Sequence, residues 1–370
     1  MRKNKYGSLT LMVIFVSSMI WLWKSTPVVS QPTVKIQIEP PLEQVIPDAT
    51  LVKFQLQALD AAGGIYNDAL IGVHIWAPRK TPWFTSDFPI VEGTELLALE
   101  AYAPKGKLEF EQVLPIRGNY DLAVTVTPEV TGSYAPFEQS LKINVPENPV
   151  KYRNFAVLAV ILLTIGAFSG WILGGHQTIA ATEIAPQPVR MLLSGVTLLA
   201  IAALLLVNFS AEMAEATSHS HPETGEVISS SPRIEKNETM QLELLGDTRA
   251  VVGKLTTQTV KITNPSTGEP ITDVQINLQS VANESNALMF AYQAIPDLNG
   301  QFTWKEQFFD GAPHIITANV MQLQVSHEIE VEGIAPPLSV RLISLLYFTI
   351  IFVVGLSAGF WGKRNTQPIL

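Results

Sequence analysis

Residues 106–126, GKLEFEQVLPIRGNYDLAVTV, and residues 300–320, GQFTWKEQFFDGAPHIITANV, carry one pattern twice. Each opens on Gly and runs through a segment in which apolar and polar residues alternate. Each then turns at a second Gly and alternates again. A period of two places one face of a strand against a core. Gly106 and Gly300 are expected in turns that need positive φ. A second pair of stretches aligns in the same way. GGIYNDALIGVHI (63–75) and GEPITDVQINL (268–278) each give a turn Gly, an apolar residue and then Asp before a strand. The chain therefore reads as an internal repeat of β units.

Working outward, the first unit continues with VKIQI, LVKFQLQAL, ALIGVHIW, LLALEAYA, KLEFEQVL, DLAVTVT and LKINV, separated by Gly, Pro, Asn and Asp. The second continues with MQLELL, TTQTVKIT, VQINLQS, LMFAYQAI, QFTWKEQF, HIITANV and HEIEVE. Seven short strands in about 100 residues fit an immunoglobulin-like sandwich. The expected fold is membrane-anchored and all-β, with sandwich domains over 31–150 and 234–335. The 370 residues include no cysteine. That excludes disulfides, thiolate-held zinc, iron–sulfur clusters and thiol chemistry. Each core must be held by apolar packing alone.

The second unit also resembles a known family. NPSTGEPITDVQINLQ followed by DLNGQFTWKEQFFDGAPHIITANV is similar to the YtkA-like domain, a relative of the FixH-like and CopC-like sandwiches, over roughly residues 255–325. The resemblance implies an extracytoplasmic β-sandwich of a kind often found near metal transport or respiratory-oxidase assembly. The metal motif of some relatives, rich in Met and His, is not matched. Met289 and Met321 stand alone.

Four apolar runs surround the β units. The first, 9–23, follows the basic start MRKNKYG and reads as a signal anchor or a signal peptide within 1–30. Runs 155–175, 191–209 and 338–362 have the length of bilayer-crossing helices. The expected anchor therefore has three to four transmembrane helices. Arg2, Lys3 and Lys5 precede the first run, and Lys363 and Arg364 follow the last. The positive-inside rule then places both termini in the cytoplasm of a multi-pass plasma (inner) membrane protein. Both β units lie on the extracytoplasmic side, and the loop between 175 and 191 is cytoplasmic. The spans hold almost no ionisable residue, Arg341 excepted, which argues against a transport pathway within this chain alone. Gly166, Gly170 and Gly174, with Gly355 and Gly359, have the spacing that lets helices approach closely.

The net charge of −9 argues against a nucleic-acid surface. No phosphate-binding glycine loop, nucleophile elbow or zinc-protease motif occurs, so no enzyme activity is expected. Two local features remain. In the polar tether 210–233, His219 and His221 stand two apart and Glu223 follows. Two imidazoles and a carboxylate suit copper, nickel or zinc. The Ser, Thr, Pro and Gly around them have the composition of a plain solvated tether. Trp83 and Phe84, in the stretch RKTPWFTSDFP, read first as an aromatic plug of the sandwich, with a partner-binding or membrane-interface pair as the alternative. His74, His314 and His327 read as ordinary strand or turn residues. The expected role is that of an accessory or scaffold subunit of an envelope or metal-transport complex. Its partners would be the lipid bilayer and a membrane or envelope protein. The alternatives are an extracytoplasmic metal-binding protein and a structural component of a transport complex.

Overall fold

The structure is a computed structural model that describes residues 31–81, 86–175, 184–196 and 233–365. The first half holds β1 (Thr33–Glu39), β2 (Leu51–Leu59), β3 (Ala69–Trp76), β4 (Glu95–Ala103), β5 (Lys107–Val113), β6 (Gly118–Pro128) and β7 (Phe137–Val145). Helix α1 (Pro149–Leu173) follows. The second half holds β8 (Arg233–Lys236), β9 (Gln241–Gly246), β10 (Arg249–Val251), β11 (Leu255–Thr263), β12 (Ile276–Ala282), β13 (Ala287–Ala294), β14 (Gln301–Gln307), β15 (His314–Val320) and β16 (Leu323–Glu332). Helix α2 (Leu338–Asn365) ends it. The short strands β8 and β10 have no counterpart in the sequence reading.

Alternation decides the strands. Along β16 every second residue is buried, from Leu323 to Val331. β11 alternates in the same way, with Val260 and Ile262 in the core. Both halves then sort their strands alike. β1-β2-β5 form one layer of the first half and β7-β6-β3-β4 the other. In the second half, β9-β11-β14 correspond to the first layer and β16-β15-β12-β13 to the second. The segments that align in sequence therefore occupy equivalent strands. Gly106 and Gly300 adopt φ +57° and +70° at equivalent turns. A Cβ there would collide with a backbone oxygen, of Tyr66 in one case and Ile262 in the other.

The halves are joined edge to edge. β5 pairs with β13 and β4 with β14, both antiparallel, so each layer becomes one eight-stranded sheet. The two junctions follow one register. Phe110 faces Tyr292 and Gln112 faces Phe290. Trp304 faces Leu99 and Glu306 faces Leu97. A single apolar core runs through both halves, because the inward faces stay in phase across the seam. Phe54 stacks on Phe110 at 4.9 Å, and Tyr292 lies 5.2 Å from Phe302.

The far edges are closed by different means. On the first half, Gln139 of β7 accepts from the Val34 amide at 2.6 Å and donates to the Val34 carbonyl at 3.2 Å, tying one sheet to the other. On the second, β10 crosses over to pair in parallel with β16, while β9 stays in the opposite sheet. Both arrangements occupy edges that would otherwise invite pairing with another chain.

Each half ends in a helix leaving from the same end of the sandwich. Asn148 caps α1 by accepting from the Val150 amide at 3.0 Å, and Pro149 occupies the first turn. α1 and α2 run side by side in the same direction. Gly166 and Gly170 lie against the backbone of Phe352 and Leu356, and Gly355 and Gly359 against that of Leu163 and Ala167. A Cβ at Gly170 or Gly359 would enter the facing carbonyl oxygen. The Lys363 ammonium sits 4.3 Å from the centre of the Trp171 ring and closes the far end of the pair. Among the described residues, these two helices are long and apolar enough to cross a membrane. Run 9–23 and residues 197–209 of the third run lie outside the described residues.

Candidate functional site

A cleft of about 710 Å³ opens at the helix end of the first half. Arg79 and Glu92 reach it from the β3–β4 connection, Arg117 from the β5–β6 corner, Lys142 from β7 and Tyr152 from the first turn of α1. Thr81 and Ser86 are also in its wall. They flank the tetrapeptide that carries Trp83 and Phe84, which lies outside the described residues. Opposite charges are paired along it. Arg117 Nε lies 2.9 Å from Glu147, and Lys142 is the register partner of Asp121. Glu92 accepts from the Ser86 amide at 3.0 Å. Lys151, beside the cleft, pairs with Asp87 and lies 3.7 Å from Glu147. These pairs link the first turn of α1 to the sandwich.

The expected metal ligands His219, His221 and Glu223 also lie outside the described residues. Among the described residues, no group of three or more His, Cys, Asp or Glu side chains is placed to hold a metal ion. His74 points outward from β3, 2.5 Å from Glu95 and stacked on Trp76. His314 is in the core, with Nδ1 2.8 Å from the Ala312 carbonyl and Nε2 3.7 Å from Asp310. Burial lowers its pKa, against the pull of Asp310, and raises that of Asp310. His327 is buried on β16, and burial, helped by Arg233, lowers its pKa as well.

A buried polar layer was not anticipated from the sequence. It lies in the second half beside the seam. Thr256, Ser280 and Glu306 are all within 3% of complete burial. By register they correspond to Val52, Ile75 and Gln112 in the first half. Burial pushes the Glu306 carboxyl up to about 8, against smaller lowering effects from nearby Ser280 and Trp304. Neither of those groups, nor Glu306 Oε1, completes a hydrogen bond. The signal was present in QFTWKEQ. Stepping by two from Phe302 through Trp304 lands on Glu306, which puts a carboxyl on the apolar face.

The corner between β5 and β6 identifies the class. Tyr120, near the start of β6, accepts from the Ile116 amide at 2.9 Å and donates to the Ile116 carbonyl. This is the tyrosine corner of immunoglobulin-like sandwiches. Together with the strand order, it defines an immunoglobulin-like β protein carrying two helices of membrane-crossing length. No protein-family model and no curated protein matches the chain, so the YtkA-like resemblance gains no support from that side. Similar solved structures include the adhesin InvE of Yersinia pseudotuberculosis, at 11% identity over 82% of this chain and 60% of that one, TM-score 0.22. Invasin, a bacterial integrin-binding protein, matches at 8% over 82% and 40%, TM-score 0.21. The D0-D1 domain of intimin matches at 10% over 81% and 99%, TM-score 0.20. The match covers less than two thirds of the first two. At these scores the likenesses carry no argument, and the fold assignment rests on strand order and the tyrosine corner.

Proposed function

We propose that the chain is a non-enzymatic integral membrane protein that presents its joined sandwich on the extracytoplasmic side. It acts there as an accessory or scaffold subunit of an envelope complex. The observation that carries this reading is the shared exit of α1 and α2. Both helices leave the same end of the sandwich and pack backbone to backbone through glycine. Such contacts suit association in lipid, where apolar surface alone gives no preference for protein over tails. Runs 9–23 and 191–209 bring the spans to three or four, with both termini cytoplasmic. The cleft beside Tyr152 then lies at headgroup level, and its polar wall, with Trp83 and Phe84 nearby in the chain, is the face offered to a membrane partner. The YtkA-like resemblance of residues 255–325 supports an extracytoplasmic setting and a neighbour in metal transport or oxidase assembly.

The chain has no cysteine, so single cysteines report topology cleanly. Ser140→Cys and Ser230→Cys are expected to react with an impermeant maleimide on intact cells, and Thr366→Cys only after permeabilisation. Labelling of Thr366→Cys on intact cells, or protection of the other two, would contradict the orientation.

A further inference from the structure

The first half of the molecule serves as a control for the second. At the layer where β5 and β14 meet their partners across the seam, one half holds Val52, Ile75 and Gln112, and the other holds Thr256, Ser280 and Glu306. A neutral amide has thus become an ionisable carboxyl at a site 3% exposed. Glu306 Oε1 has no hydrogen-bond partner, and neither have Ser280 Oγ and Trp304 Nε1 beside it. No cation faces it. On the inward sides of β4, β5, β11, β12 and β13 the one titratable side chain among the described residues is Tyr292, kept protonated by burial. His327, two strands beyond Ser280, is kept neutral by burial. The charged seam residues Glu111 and Lys305 are on the outward face. A carboxylate in such a place has lost its water, and the smaller pull of Ser280 and Trp304 does not make up for it, whereas a neutral carboxyl loses far less. The seam offers a way out. Its β4·β14 side is three residue pairs long, and Glu306↔Leu97 is the terminal pair.

We propose that Glu306 is a proton-binding site that keeps the seam closed: the neutral carboxyl belongs to the joined sandwich, and the carboxylate belongs to a form in which β14 has parted from β4. In the closed form burial pushes the pKa to about 8, and in the open form it returns to the ordinary value of about 4.3. The closed form therefore binds the proton more tightly, and opening releases it. Closure is strongest below the open-form pKa and weakens as pH rises toward the closed-form pKa. The opening constant rises about tenfold per pH unit over that interval and levels off above it. This inference does not depend on the membrane reading.

Hydrogen–deuterium exchange of the full chain in micelles, from about pH 5.5 to about pH 9 and corrected for intrinsic amide rates, tests it. Peptides covering β4 and β14 are expected to lose protection about tenfold per unit up to about pH 8, then no further. In Glu306→Gln, which installs the residue the first half already uses, that slope should vanish. Peptides covering β1 and β7, far from the seam, should show the same protection in both proteins. Equal slopes in both proteins, or a flat profile in the unaltered chain, would overturn the proposal. An equal slope throughout the sandwich would overturn the seam assignment. Should Glu306→Gln not fold, infrared spectroscopy of the unaltered chain at neutral pH decides. A carbonyl band from a protonated carboxylic acid that persists on buffer exchange is expected, and its absence refutes a neutral Glu306.

Discussion

Tyr120 and His314 occupy the same position in the two halves, and their difference shows how single residues settle local structure. The tyrosine closes its corner with two bonds to Ile116. The histidine closes its own with one bond to Ala312. Tyr120→Phe removes both bonds and leaves a buried amide without an acceptor. The expected loss is about 1–3 kcal/mol, read from a chemical denaturation midpoint. His327 provides a pH test. Its pKa is lower in the folded chain than in the unfolded one, because burial disfavours the cation. Below an unfolded pKa of about 6.5 the unfolded chain takes up the proton first, so stability falls as pH falls. His327→Leu, which copies Leu141 of the first half, should lift the melting temperature below about pH 6 and change it little above about pH 7.5. An unchanged acid limb would show that His327 is not the group responsible. The buried carboxyl at Glu306 acts with the opposite sign, weakening the fold as pH rises.

At the scale of elements, two helices of membrane-crossing length and their glycine spacings were legible, but which helix meets which was not. Length and apolar composition reveal a span, whereas pairing depends on which backbone atoms meet. Gly170 and Gly359 meet the carbonyls of Leu356 and Ala167, so any side chain there forces the helices apart. Gly170→Leu or Gly359→Leu should weaken the pair by roughly 1–3 kcal/mol, the range for overpacking. An SDS titration followed by circular dichroism would read this as an earlier loss of structure. Gly362→Leu is the matched control, since nothing lies within 4 Å of a Cβ added there. If it behaves like Gly359→Leu, the glycine contacts are not what holds the helices together.

For the whole molecule, the seam changes what each half can do alone. From its strand list, residues 234–333 read as an autonomous sandwich. In the structure, β13 pairs with β12 and β14 with β11, but the other edge of each is left open unless β5 and β4 cover it. The isolated fragment should therefore form dimers through its exposed edges or aggregate. Light scattering that finds a stable monomer with cooperative unfolding would show that the seam is dispensable. By the same reasoning, cutting the chain between the halves should leave them associated, because the core is continuous across the seam.

Much of the fold was written in alternation and turn residues. QFTWKEQ and KLEFEQV alternate as half-buried strands do, and Gly106 and Gly300 supply the one residue that takes positive φ without steric cost, since these are properties of neighbouring residues. The repeat was legible for the same reason. What the sequence did not reveal is which strand edges meet. β5·β13 and β4·β14 join residues roughly 180–210 positions apart, and edge pairing draws on backbone groups that every residue carries alike. The same limit hid Glu306. Its place on an inward face follows from counting by two. Its isolation from water and from cations depends on Ser280, Phe290 and Leu97 arriving from three other strands, and only the folded chain brings them there.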